Sequence, residues 1–172
     1  DSIGMLERVV LLEEPFTDEG GVDVGDLPVR VAADESVHTG EDVATRAQLG
    51  DGAVAIKAAG KTLSLALEMA AAALENGLIC FAADNACVPV LLEWNKNVAA
   101  RLPAFPGVRG GILESNGPEN YGGWDRMVQD HPWAGAKWLE AADGAYRLDD
   151  YYYHVSGGIL RDPIPYSDLF SA

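Results

Sequence analysis

The sequence is poor in cysteine, in cationic residues, in histidine and in long apolar runs. Each shortage excludes something. Two cysteines among 172 residues, Cys80 and Cys87, cannot build the disulfide framework of a small secreted scaffold. Set among apolar neighbours, they read as buried thiols of a reducing compartment, the cytoplasm, in preference to a disulfide. Twelve Lys and Arg residues stand against 27 Asp and Glu, a net charge of −15. That argues against nucleic acid or an anionic membrane surface as a main partner, since both attract cationic proteins. It leaves room for one local cationic site and suits a protein that binds metal cations. No run approaches the ~18 apolar residues of a membrane-spanning helix. Three histidines, His38, His131 and His154, are too scattered for a metal-ligand pattern. No G-x-G-x-x-G or Walker pattern is present, so a phosphate-cradling loop is not expected. The chain opens at Asp1 without a leader pattern, which reads as a processed or truncated N-terminus.

What is present is an ordinary globular composition, 48% apolar and 23% charged, in a length that suits one domain. Short apolar runs alternate with helical periodicities. Val9-Val10-Leu11-Leu12 is unbroken, as expected of a strand buried on both faces. Residues 29–33 predict a second strand and 53–56 a third, followed by 78–81 and a short fifth strand at 111–113. Between them, Thr39 with Asp42 three residues on predicts a capped helix stopped by Gly50. Leu63, Ala66, Leu67, Ala70 and Leu74 predict a second helix ending at Asn76-Gly77. Val88, Leu91, Leu92, Asn95, Val98 and Leu102 mark a third, with Pro89 tolerable in its first turn. This order predicts right-handed βαβ units and a parallel sheet. From about residue 116 the chain turns to Gly, Pro, Trp and Tyr with weak periodicity. It is expected to be an irregular tail packed onto another surface, with sugar binding by its aromatics as the alternative.

Polar residues follow the strands: Glu13-Glu14, Asp34-Glu35, Lys57, Asp84-Asn85 and Glu114-Ser115-Asn116. A (β/α) barrel gathers its chemistry at this end of its strands, whereas an open doubly wound sheet uses one switch point. A barrel is therefore preferred. Glu13 and Asp34 repel if brought together unless a cation lies between them, and a hard divalent ion accepts such oxygen ligands. The alternative is a solvated strand-end pair. Lys57 next to such an ion would have its pKa lowered and could serve as a general base. The alternative is a surface lysine at a strand end. Asp84-Asn85 also reads as a cap for the helix that follows.

Leu12-Glu13-Glu14-Pro15-Phe16, Ala33-Asp34-Glu35-Ser36 and Ile56-Lys57, with Gly60 and a Leu/Ala-rich helix behind it, resemble the enolase superfamily, most of all its muconate-lactonizing and dipeptide epimerase branch. Phe81-Ala82-Ala83-Asp84 and Glu93-Trp94-Asn95-Lys96-Asn97 resemble its mandelate racemase-like branch. The resemblance covers most of the chain, most strongly residues 9–115. It implies the C-terminal half of a TIM-type barrel, with parallel strands four to eight and flanking helices over residues 1–115. Residues 116–172 would then pack on the barrel or on a capping domain. It implies Mg²⁺ held by Glu13 and Asp34, Lys57 as the base that removes the proton alpha to a carboxylate, and Asp84 and Glu114 towards the substrate. The product of that step would be a metal-stabilised enediolate, in racemisation, epimerisation or a related elimination. The absence of histidine between Leu78 and Val88 favours the lysine type.

By that resemblance this sequence would start just before the fourth strand, without the family's cap, first metal ligand and opposite base. It is expected to work with the N-terminal half of the enzyme or another chain, as an oligomer. The rival expectation is a non-catalytic half-barrel used for assembly or binding.

Overall fold

The computed structural model describes residues 3–16, 21–83 and 85–162. Four strands form one parallel sheet in sequence order: β1 (Leu12–Glu13), β2 (Val31–Ala33), β3 (Ala53–Ile56) and β4 (Ile79–Ala82). Helix α1 (Gly40–Gln48) connects β2 to β3, α2 (Leu63–Glu75) connects β3 to β4, and α3 (Pro89–Ala99) follows β4. This is α/β architecture and a partial TIM barrel.

Local chemistry explains the boundaries. Thr39 accepts from the Asp42 amide while Asp42 accepts from the Thr39 amide, a reciprocal cap that starts α1. Gly50 then takes φ +93°, a conformation that glycine adopts without steric cost, and turns the chain into β3. Thr62 caps α2, Gly77 at φ +75° ends its turn, and Pro89 occupies the first turn of α3.

The sheet is covered on both faces. Ala33, Val54, Ile56 and Cys80 pack outward against Val43 of α1 and Ala66, Met69, Ala70 and Ala73 of α2. Ala32, Ala53, Ala55, Phe81 and Ala83 point the other way, with Leu11, Ile79 and Ile112 packed against them. Strand alternation therefore separates an outer helix-facing row from an inner row of mostly small residues, as expected inside a tightly curved sheet. Cys80 and Cys87 are both buried thiols.

Two expected strands differ. The run 9–12 was expected to be a strand buried on both faces. Only Leu12 joins the ladder, with Glu13, and Val10 and Leu12 are 54% and 41% exposed. β1 has β2 on one side and no neighbour on the other among the described residues, so its outer side faces water. The segment 111–113 contributes a single parallel bridge, Ala82 to Leu113, supported by Ala82 N–H to Ile112 O at 3.0 Å and Glu114 N–H to Ala82 O at 2.9 Å.

Among the described residues the segment after Glu114 holds three short α-helices, α4 (Gly117–Asn120), α5 (Trp124–Gln129) and α6 (Asp150–Val155), and two 3-10 turns. Trp138, Leu139 and Tyr152 form its own small core with Val128, Trp133 and Leu148 around them. This cluster is seated on α3: Lys96 donates to the Trp138 carbonyl at 2.8 Å, and Asn97 donates to the Tyr152 hydroxyl at 3.1 Å and to the Ser156 carbonyl at 3.0 Å.

Candidate metal and general-base site

Register and alternation bring the sequence-predicted residues to one place. Glu13 lies beside Ala32, Ala32 beside Ala53, and Ala53 beside Ile79. Ala32, Ala53 and Ile79 belong to the inner row, so Glu13 shares that face. Two residues beyond Ala32 is Asp34, and two beyond Ala55 is Lys57. All three side chains thus occupy the inner face at the C-terminal ends of adjacent parallel strands.

The contacts agree with that placement. The Lys57 ammonium meets the Asp34 carboxylate at 2.5 Å and the Glu35 carboxylate at 3.0 Å. Asp34 is 5% exposed, Lys57 is half-buried and Glu35 is exposed. Glu13 shares a hydrogen bond with Asp34, and Glu114 lies close enough for its charge to act on Glu13. Asp84 lies outside the described residues.

The electrostatics are those of a crowded anionic rim. Partial desolvation, then the hydrogen bond and charge of Asp34, then the charges of Glu114 and Glu35, push the Glu13 carboxyl up to about 7. Burial alone would lower the Lys57 pKa. The hydrogen bonds and charges of Asp34 and Glu35 outweigh it and hold the ammonium above the ordinary lysine value. Glu35 is lowered in return, because Lys57 outweighs its desolvation. The lowered Lys57 pKa expected from the sequence belongs to a cation-bound site; with the carboxylates of Asp34 and Glu35 as its neighbours, the shift is upward. Nearby Lys61, which donates to the Val37 carbonyl, is lowered by burial and by the charge of Lys57.

The donor set fits a hard divalent cation in part. Glu13 and Asp34 offer carboxylate oxygens on one face, the ligand chemistry that Mg²⁺ takes. Among the described residues no group of three or more His, Cys, Asp or Glu side chains is arranged to hold a metal ion. Glu13 and Asp34 would supply two ligands to such a cation.

Sequence reading named two further participants as strand-end residues but gave them no role. Glu35 closes the salt bridge from the exposed side. Glu14 departs from strand geometry at φ +32° and accepts hydrogen bonds from the Asp34 amide and the Ser36 hydroxyl. The adjacent carboxylates of Glu13-Glu14 were the available signal.

No protein-family model matches the chain, and no curated protein matches it. Solved structures do. A mandelate racemase/muconate lactonizing enzyme from Roseiflexus sp. aligns with a TM-score of 0.55 and 25% identity, over 67% of this chain and 33% of that one. A mandelate racemase/muconate lactonizing protein from Herpetosiphon aurantiacus aligns with a TM-score of 0.54 and 24% identity, over 64% of this chain and 32% of that one. The fold is that of part of an enolase-superfamily barrel. The chain spans about a third of the length of the structures it matches. Among the described residues no helix is long and apolar enough to cross a membrane.

Proposed function

We propose that the chain forms part of a divalent-cation-dependent enzyme of the enolase superfamily. It would remove the proton alpha to a carboxylate of a small substrate, in a racemisation, epimerisation or related elimination. The observation that carries this reading is the convergence of Glu13, Asp34 and Lys57 at the ends of three consecutive parallel strands.

In this reading Glu13 and Asp34 hold Mg²⁺, which when bound supplies positive charge to the substrate carboxylate. Lys57 is the base. Its Nζ takes the alpha proton as the C–H bond breaks, and the electron pair stays on the substrate, spread over its carboxylate. Only neutral Lys57 can do this, so the Asp34 and Glu35 charges that keep it protonated must first be drawn away. Glu114, on the inner face by the same alternation, is a candidate for substrate contact, as is Asp84.

The reading also calls for a partner that completes the barrel, the N-terminal half of such an enzyme or another chain, within an oligomer of cytoplasmic location. Its support is the exposed β1 edge, where Val10, Leu12 and Phe16 meet water, because unpaired edges and apolar patches invite pairing. The second reading, a half-barrel used for assembly without catalysis, is favoured by the closed Lys57 salt bridge and by the lack, among the described residues, of three or more side chains grouped to hold a metal ion.

The test is exchange of the substrate's alpha proton with solvent deuterium, with the completing half co-expressed. Lys57→Ala should abolish exchange on one face, a loss of about 10²–10⁴-fold, while cation binding survives. Full exchange in that variant would move the weight to the assembly reading.

A further inference from the structure

Glu14 follows Glu13, so regular alternation would send its side chain to the outer face. Instead its backbone lies in the left-handed region at φ +32°, which a non-glycine residue adopts when surrounding contacts demand it. The contacts are specific. In the β1–β2 ladder, the Leu12 amide donates to the Arg30 carbonyl at 2.8 Å and the Glu14 amide to the Ala32 carbonyl at 3.0 Å. The next rung of a parallel ladder would run from the Asp34 amide to the Glu14 carbonyl. Here the Asp34 amide donates to Glu14 Oε2 at 2.6 Å, and the Ser36 hydroxyl donates to the same oxygen at 3.1 Å. The side chain replaces a main-chain acceptor where β1 turns away into Pro15. The half-buried Glu14 therefore clips the end of β1 to the end of β2, between the two residues read as metal ligands.

We propose that Glu14 is the positioning residue of the site: its carboxylate holds the Asp34 backbone so that the Asp34 and Glu13 carboxylates face one cation. This rests on the divalent-cation reading above. Its role differs from that of a ligand, because Oε2 is committed to the Asp34 amide and Ser36. It also differs from that of a general anionic charge, because what it supplies is an acceptor at one point. A glutamine, which keeps an acceptor oxygen on a side chain of the same length, should preserve the function. Alanine should not. Glycine removes the backbone strain without restoring the clip.

The experiment compares wild type with Glu14→Gln, Glu14→Ala and Glu14→Gly by two measurements on the whole chain. The first is amide hydrogen exchange at Asp34, which reads the clip without any metal. The second is Mn²⁺ binding, followed by loss of the free-ion electron paramagnetic resonance signal. The expected result is a protected Asp34 amide in wild type and Glu14→Gln and loss of protection in Glu14→Ala and Glu14→Gly. Mn²⁺ affinity should fall about 10-fold or more in the last two, the range seen when outer-shell partners of metal ligands are removed, and stay close to wild type in Glu14→Gln. Lost Asp34 protection with unchanged Mn²⁺ affinity would overturn the positioning role while leaving the site reading intact. Glutamine as poor as alanine would overturn it in favour of charge alone, and recovery of Mn²⁺ affinity in Glu14→Gly would overturn it in favour of backbone strain. Absence of saturable Mn²⁺ binding in wild type would overturn the site reading and the positioning role together.

Discussion

Two lysine–carboxylate pairs among the described residues behave in opposite ways. At the barrel rim, Lys57 meets Asp34 at 2.5 Å and Glu35 at 3.0 Å, and its pKa rises. Beneath the C-terminal segment, Lys96 meets Glu93 at 2.8 Å with both side chains almost wholly buried, and its pKa falls. In the buried pair desolvation prevails over attraction, and it raises Glu93 as it lowers Lys96. At the rim two carboxylates act on one ammonium, water remains near, and attraction prevails. A lysine beside an acid is thus no indicator of a base. What separates the two is water access, the number of carboxylates and the surrounding purpose. Lys96 also donates to the Trp138 carbonyl and lies 3.9 Å from the Tyr146 ring centroid, so it welds the C-terminal segment to α3. Among the described residues the Lys57 ammonium is tied to the carboxylates of Asp34 and Glu35, which a cation can take from it.

The contrast predicts its largest effect in the buried pair. Lys96→Ala leaves the Glu93 carboxylate enclosed without its partner, and should cost about 3–5 kcal/mol in the urea unfolding free energy. Replacing both together, Glu93→Gln with Lys96→Met, should cost less than Lys96→Ala alone. Equal costs would mean that water reaches the pair.

The same region predicts a pH dependence. His131 is 2% exposed and pushed down to about 4 from 6.5, first by burial and then by the Lys96 charge. The folded state therefore favours neutral imidazole. Above pH 6.5 the folded and unfolded states carry the same neutral group and stability is unaffected. Between 6.5 and about 4 the unfolded chain binds a proton that the folded one refuses, and stability falls. His131→Phe should flatten that part of the profile; an unchanged slope would reassign it to carboxylates.

The smallest effects belong to the rim. Lys57→Ala should cost about 1–2 kcal/mol, because removing the half-buried Lys57 side chain opens the buried Asp34 to water. Glu35→Gln should cost about 0.5 kcal/mol or less, since Glu35 is exposed. Thermal unfolding measures both, and a rim loss as large as that of Lys96→Ala would erase the distinction.

Much of this was legible in the residues. The reciprocal cap at Thr39 and Asp42, the glycines at 50 and 77 and the buried run of β3 each carry a strong local signal, and they delimit α1, α2 and β3. The shared face of Glu13, Asp34 and Lys57 follows from period-two alternation once the strands are parallel. Other features had no local signal. The run 9–12 has the composition of a strand buried on both faces, yet its burial depends on a neighbour beyond β1, which sequence alone cannot place. Segment 111–113 keeps one bridge because pairing there is a tertiary matter. Glu14 violates the alternation that located its neighbours, and a positive φ at glutamate leaves no mark in the sequence. The sign of the Lys57 shift comes from Asp34 and Glu35 acting together against burial, a balance that the strand-end residues do not reveal in the sequence.

The central claim is that Glu13, Asp34 and Lys57 form one cation site in which lysine and metal compete for Asp34. Mn²⁺ titration of the chain, followed by electron paramagnetic resonance, tests it most directly. The account predicts one saturable site, weakened by Asp34→Asn because a neutral amide is a poorer ligand for a hard cation, and tightened by Lys57→Ala because the competing ammonium is gone. Binding that ignores Asp34→Asn, or that weakens when Lys57 is removed, would contradict it.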